Sequence, residues 1–245
     1  MSPGPSSGIT TLSEVSRSGS TRPAQAHGPL RPLLVGLTVV TGLVDAFSYL
    51  SLGHVFVANL TGNVVFLGFG FAGDRNISMA ASLSAILAFG FGAFVGGRCA
   101  AHPGLHRGYL LAAASGTQSG LVVAASIIAG AVGVGRPAAQ LCLVALLGVA
   151  MGGQNAVARR LAVPDLTTSV LTLTVTGLVA DMSAWSIRRQ RLVPVAAMLA
   201  GAVAGSALVL RVSTAAPLWL AAALLATCSL IAYASARQPQ SQVWR

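Results

Sequence analysis

The sequence predicts an all-α integral membrane protein with six transmembrane helices, two interrupted half-helices and an internal repeat. Composition is the first observation behind this prediction. Hydrophobic residues make up 54% of the 245 residues and charged residues only 8%, whereas a soluble domain carries about 25% charged residues. So few charges cannot cover a water-facing surface, which excludes soluble enzymes, coiled coils and disordered proteins. The lengths of the apolar segments and the order of a few recurring landmarks are the second and third observations.

The basic residues indicate a membrane partner rather than a nucleic acid. The chain has a formal net charge of +10, and all 15 basic residues are arginines that lie between apolar stretches instead of forming one patch. Positive charge in short loops orients a membrane protein with those loops in the cytoplasm. We therefore expect the lipid bilayer as a partner and no nucleic acid. The three cysteines are isolated, so neither a metal site nor a bound cofactor is predicted.

Both ends of the chain are predicted to be cytoplasmic tails. Residues 1–32 are rich in Ser, Gly and Pro and contain no sustained apolar run, so they are expected to be disordered. They also lack the apolar core of a signal peptide. Residues 236–245 form the second tail, and residues 33–235 form the transmembrane domain. A bacterial inner-membrane location follows from the family resemblance described below.

Six apolar segments are long enough to cross the hydrocarbon core as helices of about 20 residues. These segments are 33–52, 78–97, 109–131, 139–157, 193–212 and 216–235. Two further apolar segments, 55–72 and 161–184, are interrupted by polar residues.

The interrupted segments allow two interpretations. If both cross the membrane, the chain has eight spans, with ten arginines inside and five outside. If both enter and leave on one face, it has six spans, with twelve arginines inside and three outside. The second distribution agrees better with the excess of positive charge in cytoplasmic loops. It favours six spans and two half-helices.

Ordered landmarks predict that residues 33–131 and 139–235 are two copies of one unit. The run 42–46 aligns with 152–156, the run 59–64 with 165–170, Asp74 with Asp181, and Gly92 and Gly96 with Gly201 and Gly205. The offsets all lie between 106 and 110 residues. With three crossings per unit the second copy would be inverted in the membrane, as in many secondary transporters. With four crossings the copies would be parallel, an arrangement that transporters also use.

Two sequence runs resemble the signature of the YoaK-like family of bacterial multi-pass membrane proteins. The first run extends from Thr41 to Asn63 and includes VFVANLTGN, and the second extends from Gln154 to Thr168 and includes VPDLTT. The resemblance covers about residues 33–235, and the family usually has Met where Leu60 stands. It implies a bacterial plasma-membrane location, and it implies no particular activity because the family's function is unknown.

Asp45 is the most informative polar residue. It lies near the middle of the first apolar segment, where a carboxyl group costs about 2.5–3.5 kcal/mol to insert and is usually functional. We interpret it as a proton-coupling residue. The competing interpretation is a structural hydrogen bond within the helix bundle, with Asn155 at the equivalent place in the second half as the partner.

The interrupted segments carry most of the other residues of the predicted site, and the fourth long segment, 139–157, carries Gln154 and Asn155. Asn or Asp followed by Thr or Ser favours the start of a helix, and two half-helix starts near the middle of the membrane would attract an anion or a polar solute. The predicted substrate-binding residues are Asn59, Thr61, Asn63, Gln154, Asn155, Asp165, Thr167 and Thr168. The competing interpretation is ordinary cap structure at the membrane edge.

These observations predict a secondary transporter or permease for a small polar or anionic solute. No motif of a hydrolase, metalloprotease or phosphate-binding loop occurs in the sequence, so we do not expect an enzyme. Gln118, inside the third segment, could line a pathway or bond a neighbouring helix. The alternative function is a membrane scaffold or sensor that transports nothing.

Overall fold

The computed structural model describes residues 30–101, 106–161 and 185–237, with side chains from residue 32 and, in the last range, from residue 192. Seven helices and no strand occur in these ranges. The helices are α1 (Leu30–Ser51), α2 (Leu60–Phe71), α3 (Met79–Ala100), α4 (Arg107–Ala131), α5 (Pro137–Leu161), α6 (Trp185–Arg211) and α7 (Ala216–Ala236). All except α2 contain an apolar stretch of at least 20 residues, long enough to cross a membrane. For the residues that the structure describes, the predicted all-α architecture with six long apolar helices is confirmed.

The short helix α2 corresponds to the first interrupted segment. It has 12 residues, which is about 18 Å of helix and too short to cross the hydrocarbon core. The second interrupted segment, with Asp165, Thr167 and Thr168, lies outside the described residues.

The bundle has a buried centre and two peripheral helices. About two thirds of the spanning part of α1 is buried (67%), against 22% of the spanning parts of α3 and α6. The peripheral helices carry large exposed apolar side chains such as Leu87, Phe91, Leu199 and Val203. Such a surface is unsuited to water and matches the apolar interior of a bilayer.

Glycines bring the peripheral helices into backbone contact with the central ones. A Cβ atom on Gly201 of α6 would lie 2.1 Å from the Val39 carbonyl oxygen of α1, and one on Gly92 of α3 would lie 2.2 Å from the Val149 carbonyl oxygen of α5. No side chain fits at such distances, so these positions require glycine. Small residues at helix contacts let the backbones approach closely in membranes.

The contacts also give the relative directions of the helices. Along α1 and α6, Val39 meets Gly201 and Leu43 meets Gly205. Contact positions that rise together along both chains mean that these two helices run parallel.

The same comparison applies to the other two helix pairs. In α3 and α5, Gly92 meets Val149 and Gly96 meets Gly153, so this pair is also parallel. In α4 and α7 the positions change in opposite senses. The Ser119 hydroxyl donates to the Ala222 carbonyl and the Ser229 hydroxyl donates to the Ala112 carbonyl, so these helices are antiparallel.

The chain reverses direction just after α1. Gly53 and His54 have φ angles of 88° and 58°, and glycine adopts this left-handed region at little cost. A Cβ atom on Gly53 would lie 3.6 Å from the Cβ of Ser78. Ser78 is the residue whose hydroxyl caps the start of α3 by accepting from the Ala81 N–H at 3.2 Å. The end of α1 and the start of α3 are therefore neighbours.

Candidate functional site

Asp45 binds the segment before α2, which is the connection formed by residues 52–59. Its side chain is only 4% exposed. The Oδ1 atom accepts hydrogen bonds from the backbone N–H groups of Val57 (3.0 Å) and Ala58 (2.9 Å). The Oδ2 atom accepts from the Asn59 side-chain amide. One carboxylate thus satisfies three donors of a segment that has no secondary structure of its own, as buried polar groups require.

Asn63 fixes the same segment from the other side. This fully buried residue accepts from the Phe56 N–H through Oδ1 at 2.9 Å, and its Nδ2 donates to the Phe56 carbonyl. The segment is therefore held between a carboxylate on α1 and an amide on α2. Asn63 acts on its own backbone, and it is absent from the residues that line the cavity described next.

A cavity of about 210 Å³ lies beside Asp45, between α1, the segment before α2, and α6. Asp45 supplies a carboxylate group to its wall and Asn59 supplies an amide group. Tyr49 and Phe56 supply aromatic rings, and Met198 and Ser206 line it from α6. The Tyr49 and Phe56 rings stack with centroids 5.1 Å apart and planes at 20°. The cavity therefore combines a buried carboxylate with aromatic and neutral polar groups.

Of the predicted residues of the first half, Asn59 lines this cavity with Asp45, whereas Thr61 and Asn63 do not. Thr61 is exposed on α2. Asn59 lies at the start of α2, as the sequence predicts, but its side chain makes no capping hydrogen bond because it is engaged with Asp45.

Gln154 belongs to a series of hydrogen-bonded polar side chains in the centre of the bundle. The Gln118 amide of α4 donates to Gln154 Oε1 of α5. The Gln154 amide donates in turn to the Thr41 hydroxyl of α1 at 3.4 Å, and Thr41 donates to the Leu37 carbonyl at 3.0 Å. Gln118 thus bonds neighbouring helices, one of its two expected roles. This series of hydrogen-bonded side chains reaches Thr41, which lies one helical turn before Asp45.

Asn155 does not serve as the partner of Asp45. Its side-chain amide donates to the Met151 carbonyl of its own helix at 3.0 Å. Asp45 is bonded instead to the segment 12 to 14 residues further along the chain. The Asp45–Asn155 bond of the competing interpretation is therefore replaced by local bonds, because the turn at Gly53 and His54 brings the chain back to Asp45.

Sequence reasoning missed the aromatic and α6 residues of the cavity. Tyr49 follows Asp45 by four residues and so shares its helix face, a signal that the sequence contains. Phe56 lies inside the VFVANLTGN run, where its sequence neighbours do not distinguish it from an ordinary apolar packing residue. Nothing in the sequence indicates Met198 or Ser206, because they reach the cavity through the packing of α6 on α1.

Comparisons with known proteins place the chain among membrane proteins of unknown function. Residues 33–231 match the family model described as protein of unknown function (DUF1275). The chain is 30% identical over 152 residues to the UPF0700 transmembrane protein YoaK of Bacillus subtilis (strain 168). This match covers 62% of the chain and 66% of YoaK, just under two thirds of the relative's length. No solved structure matches the chain. The extent of the family match and the six long apolar helices make this chain a multi-pass membrane protein that belongs to the DUF1275 family.

Proposed function

We propose that this protein is a secondary transporter for a small polar solute, with Asp45 as the residue that couples transport to proton movement. The observation that carries the proposal is the cavity beside Asp45. A carboxylate within a membrane-spanning segment is costly and is retained mainly where it binds a solute, an ion or a proton. Here it borders a space that can hold a small molecule, and non-helical backbone forms part of the wall, as in many transporter sites.

The helix directions support a six-span topology with two inverted halves. Short connections at residues 132–136 and 212–215 make α4 antiparallel to α5 and α6 antiparallel to α7. Since α6 and α4 are both antiparallel to α7, they point the same way, and α1 points with them because it is parallel to α6. Helix α5 is antiparallel to α4, and α3 is parallel to α5. Helix α1 is therefore antiparallel to both α3 and α5. The segment between α1 and α3 then enters and leaves on one face. The helix that begins the second half points opposite to the helix that begins the first.

Equivalent contacts in the two halves support the internal repeat. A Cβ atom on Gly42 would lie 2.3 Å from the Met198 carbonyl oxygen and 2.7 Å from the Ala202 nitrogen. A Cβ atom on Gly152 would lie 2.1 Å from the Phe89 carbonyl oxygen and 2.8 Å from the Ala93 nitrogen. The paired positions are 109 or 110 residues apart in the sequence. Each half therefore contributes the same kind of contact to the other.

An anionic solute, which the sequence also allows, has less support than a neutral or positively charged one. The start of α2 carries the positive end of the helix dipole, which favours anions. The Asp45 carboxylate already lies next to the start of α2, because it accepts a hydrogen bond from Asn59, the residue before that helix. An anion in the cavity would meet this negative charge at short range.

Transport is tested in liposomes that contain the purified protein and a trapped pH-sensitive dye. We expect at least one member of a panel of amino acids, polyols, carboxylates and quaternary amines to change the internal pH when it is added outside. Asp45→Asn should abolish the change, since an amide cannot exchange the coupling proton. Asp74→Asn is the matched control, because Asp74 is exposed in the α2–α3 connection and its side chain accepts a hydrogen bond from the nearby Asn76 N–H at 2.9 Å. An unchanged response in Asp45→Asn would contradict the proposal, and no response to any solute would favour a scaffold or sensor.

A further inference from the structure

We infer that the cavity beside Asp45 takes a small organic cation, a molecule with an ammonium group and a compact apolar body. This inference rests on the proposed function and specifies the class of solute. It is carried by the charge of the cavity wall, by its aromatic rings and by its size.

The charge of the wall is negative. Asp45 is the only charged residue among the described residues that line the cavity, and no arginine or histidine lies among them. Its hydrogen bonds are to neutral donors, namely two backbone N–H groups and the Asn59 amide. Asp45 itself lines the cavity, so a positively charged group held there lies next to the carboxylate. A positive ligand would supply the countercharge that the described part of the wall lacks.

The aromatic rings favour the same class of ligand. Tyr49 and Phe56 line the cavity together with the carboxylate, and they belong to one cluster with Phe66, whose centroid is 5.9 Å from that of Phe56. Aromatic rings attract ammonium groups through their negative faces. Because methylated ammonium groups are also partly apolar, Met198 and Ala202 of α6 suit the remaining surface of such a ligand.

The size of the cavity limits the ligand. About 210 Å³ is below the range of about 300–1,000 Å³ that is usual for drug-sized ligands. The space suits a molecule with a single ammonium head and a short chain. It excludes a lipid or a peptide as the molecule bound entirely within this space.

Three probes of nearly the same shape and different charge test the inference. These probes are choline, its neutral analogue 3,3-dimethyl-1-butanol and the anion 3,3-dimethylbutyrate, titrated calorimetrically into the full-length protein in lipid nanodiscs. We expect choline to bind at least about tenfold more tightly than the neutral analogue, and the anion to bind most weakly. Equal binding of choline and the neutral analogue, tighter binding of the anion, or binding of none of the three would overturn the inference.

Two variants locate the preference. Asp45→Asn should lower the affinity for choline to that for the neutral analogue, while Asp74→Asn should leave it unchanged. Because Asp45 also holds the segment before α2, Phe56→Leu provides a second variant that keeps every hydrogen bond of Asp45. It should weaken choline binding about threefold to tenfold and leave the neutral analogue almost unaffected. A Phe56→Leu protein that retains the full charge preference would remove the aromatic part of the inference.

The liposome assay separates this inference from the proposed function. If choline binds with the expected preference and no solute of the panel moves protons, the site is correct and the transport proposal fails. If a neutral or anionic solute gives a proton movement that depends on Asp45, transport stands and the inference of a cation fails.

Discussion

Replacing Asp45 with alanine is expected to destabilise the protein by about 4 kcal/mol. The substitution leaves the N–H groups of Val57 and Ala58 and the amide of Asn59 without their acceptor. Each buried donor without a partner costs about 1–3 kcal/mol, and alanine offers no acceptor in place of the carboxylate oxygens. The free energy of unfolding is measured by denaturant titration in mixed micelles.

Asp45→Asn should be less harmful than Asp45→Ala. The asparagine keeps one carbonyl oxygen for the N–H groups of Val57 and Ala58 and loses the bond from the Asn59 side chain. Asp74→Ala serves as the control for removing a carboxylate at an exposed position, and it should change stability by no more than about 0.5 kcal/mol. If Asp45→Ala were as stable as Asp74→Ala, the carboxylate would not hold the segment before α2.

Replacing Gly92 or Gly201 with alanine is expected to cost about 3 kcal/mol each. The added Cβ would lie 2.2 Å from the Val149 carbonyl oxygen in the first case and 2.1 Å from the Val39 carbonyl oxygen in the second. Backbone atoms cannot turn away as a side chain can, so the two helices must separate, and overpacking of this kind costs about 1–3 kcal/mol or more. The two contacts are equivalent in the proposed repeat, so the two losses should be similar.

Gly90→Ala is the matched control for these glycine variants. Gly90 lies on α3 two residues before Gly92, and a Cβ atom there would have no neighbour within 4 Å. We expect stability equal to that of the unmodified protein, or slightly greater because alanine favours the helix. The same denaturant titration serves as the measurement. A Gly92→Ala protein that unfolds like Gly90→Ala would mean that α3 and α5 do not pack as closely as described.

The number of the long helices and most of their limits follow from the sequence because each span is a long apolar run bounded by polar residues. The exception is α6, which begins at Trp185 rather than near residue 193. The faces of the helices do not follow from the sequence. Helices α3 and α6 are apolar nearly all round, so the period of the sequence cannot tell which face meets the protein and which meets lipid. The small residues that mark the contacts, such as Gly92 and Gly201, are visible in the sequence. Their partners are not, because these lie on helices far along the chain.

The candidate site was predictable only in part for a similar reason. Asp45 is identifiable from the sequence alone, because it is a lone aspartate within an apolar segment. Its engagement with Val57, Ala58 and Asn59 depends on the reversal at Gly53 and His54, where left-handed backbone at a histidine is uncommon and has no sequence pattern of its own here. The contribution of α6 depends on long-range packing and could not be predicted.

In the topology that we propose, the segment between α1 and α3 enters and leaves the membrane on one face, so that the two halves are inverted. This topology is tested by single-cysteine labelling in a background without Cys99, Cys142 and Cys228. Arg75→Cys, Arg107→Cys and Arg237→Cys place one thiol each after α2, at the start of α4 and at the end of α7. Intact cells are treated with a membrane-impermeant thiol reagent. A second treatment after the cells are made permeable shows that each thiol can react.

With six spans, positions 107 and 237 should behave alike and position 75 should behave oppositely, whichever way the protein is oriented. With the termini in the cytoplasm, only position 75 should be labelled in intact cells. If positions 75 and 237 behave alike and position 107 differs from both, the chain has eight spans. The halves would then be parallel, which would contradict the placement of Asp45 beside a re-entrant segment.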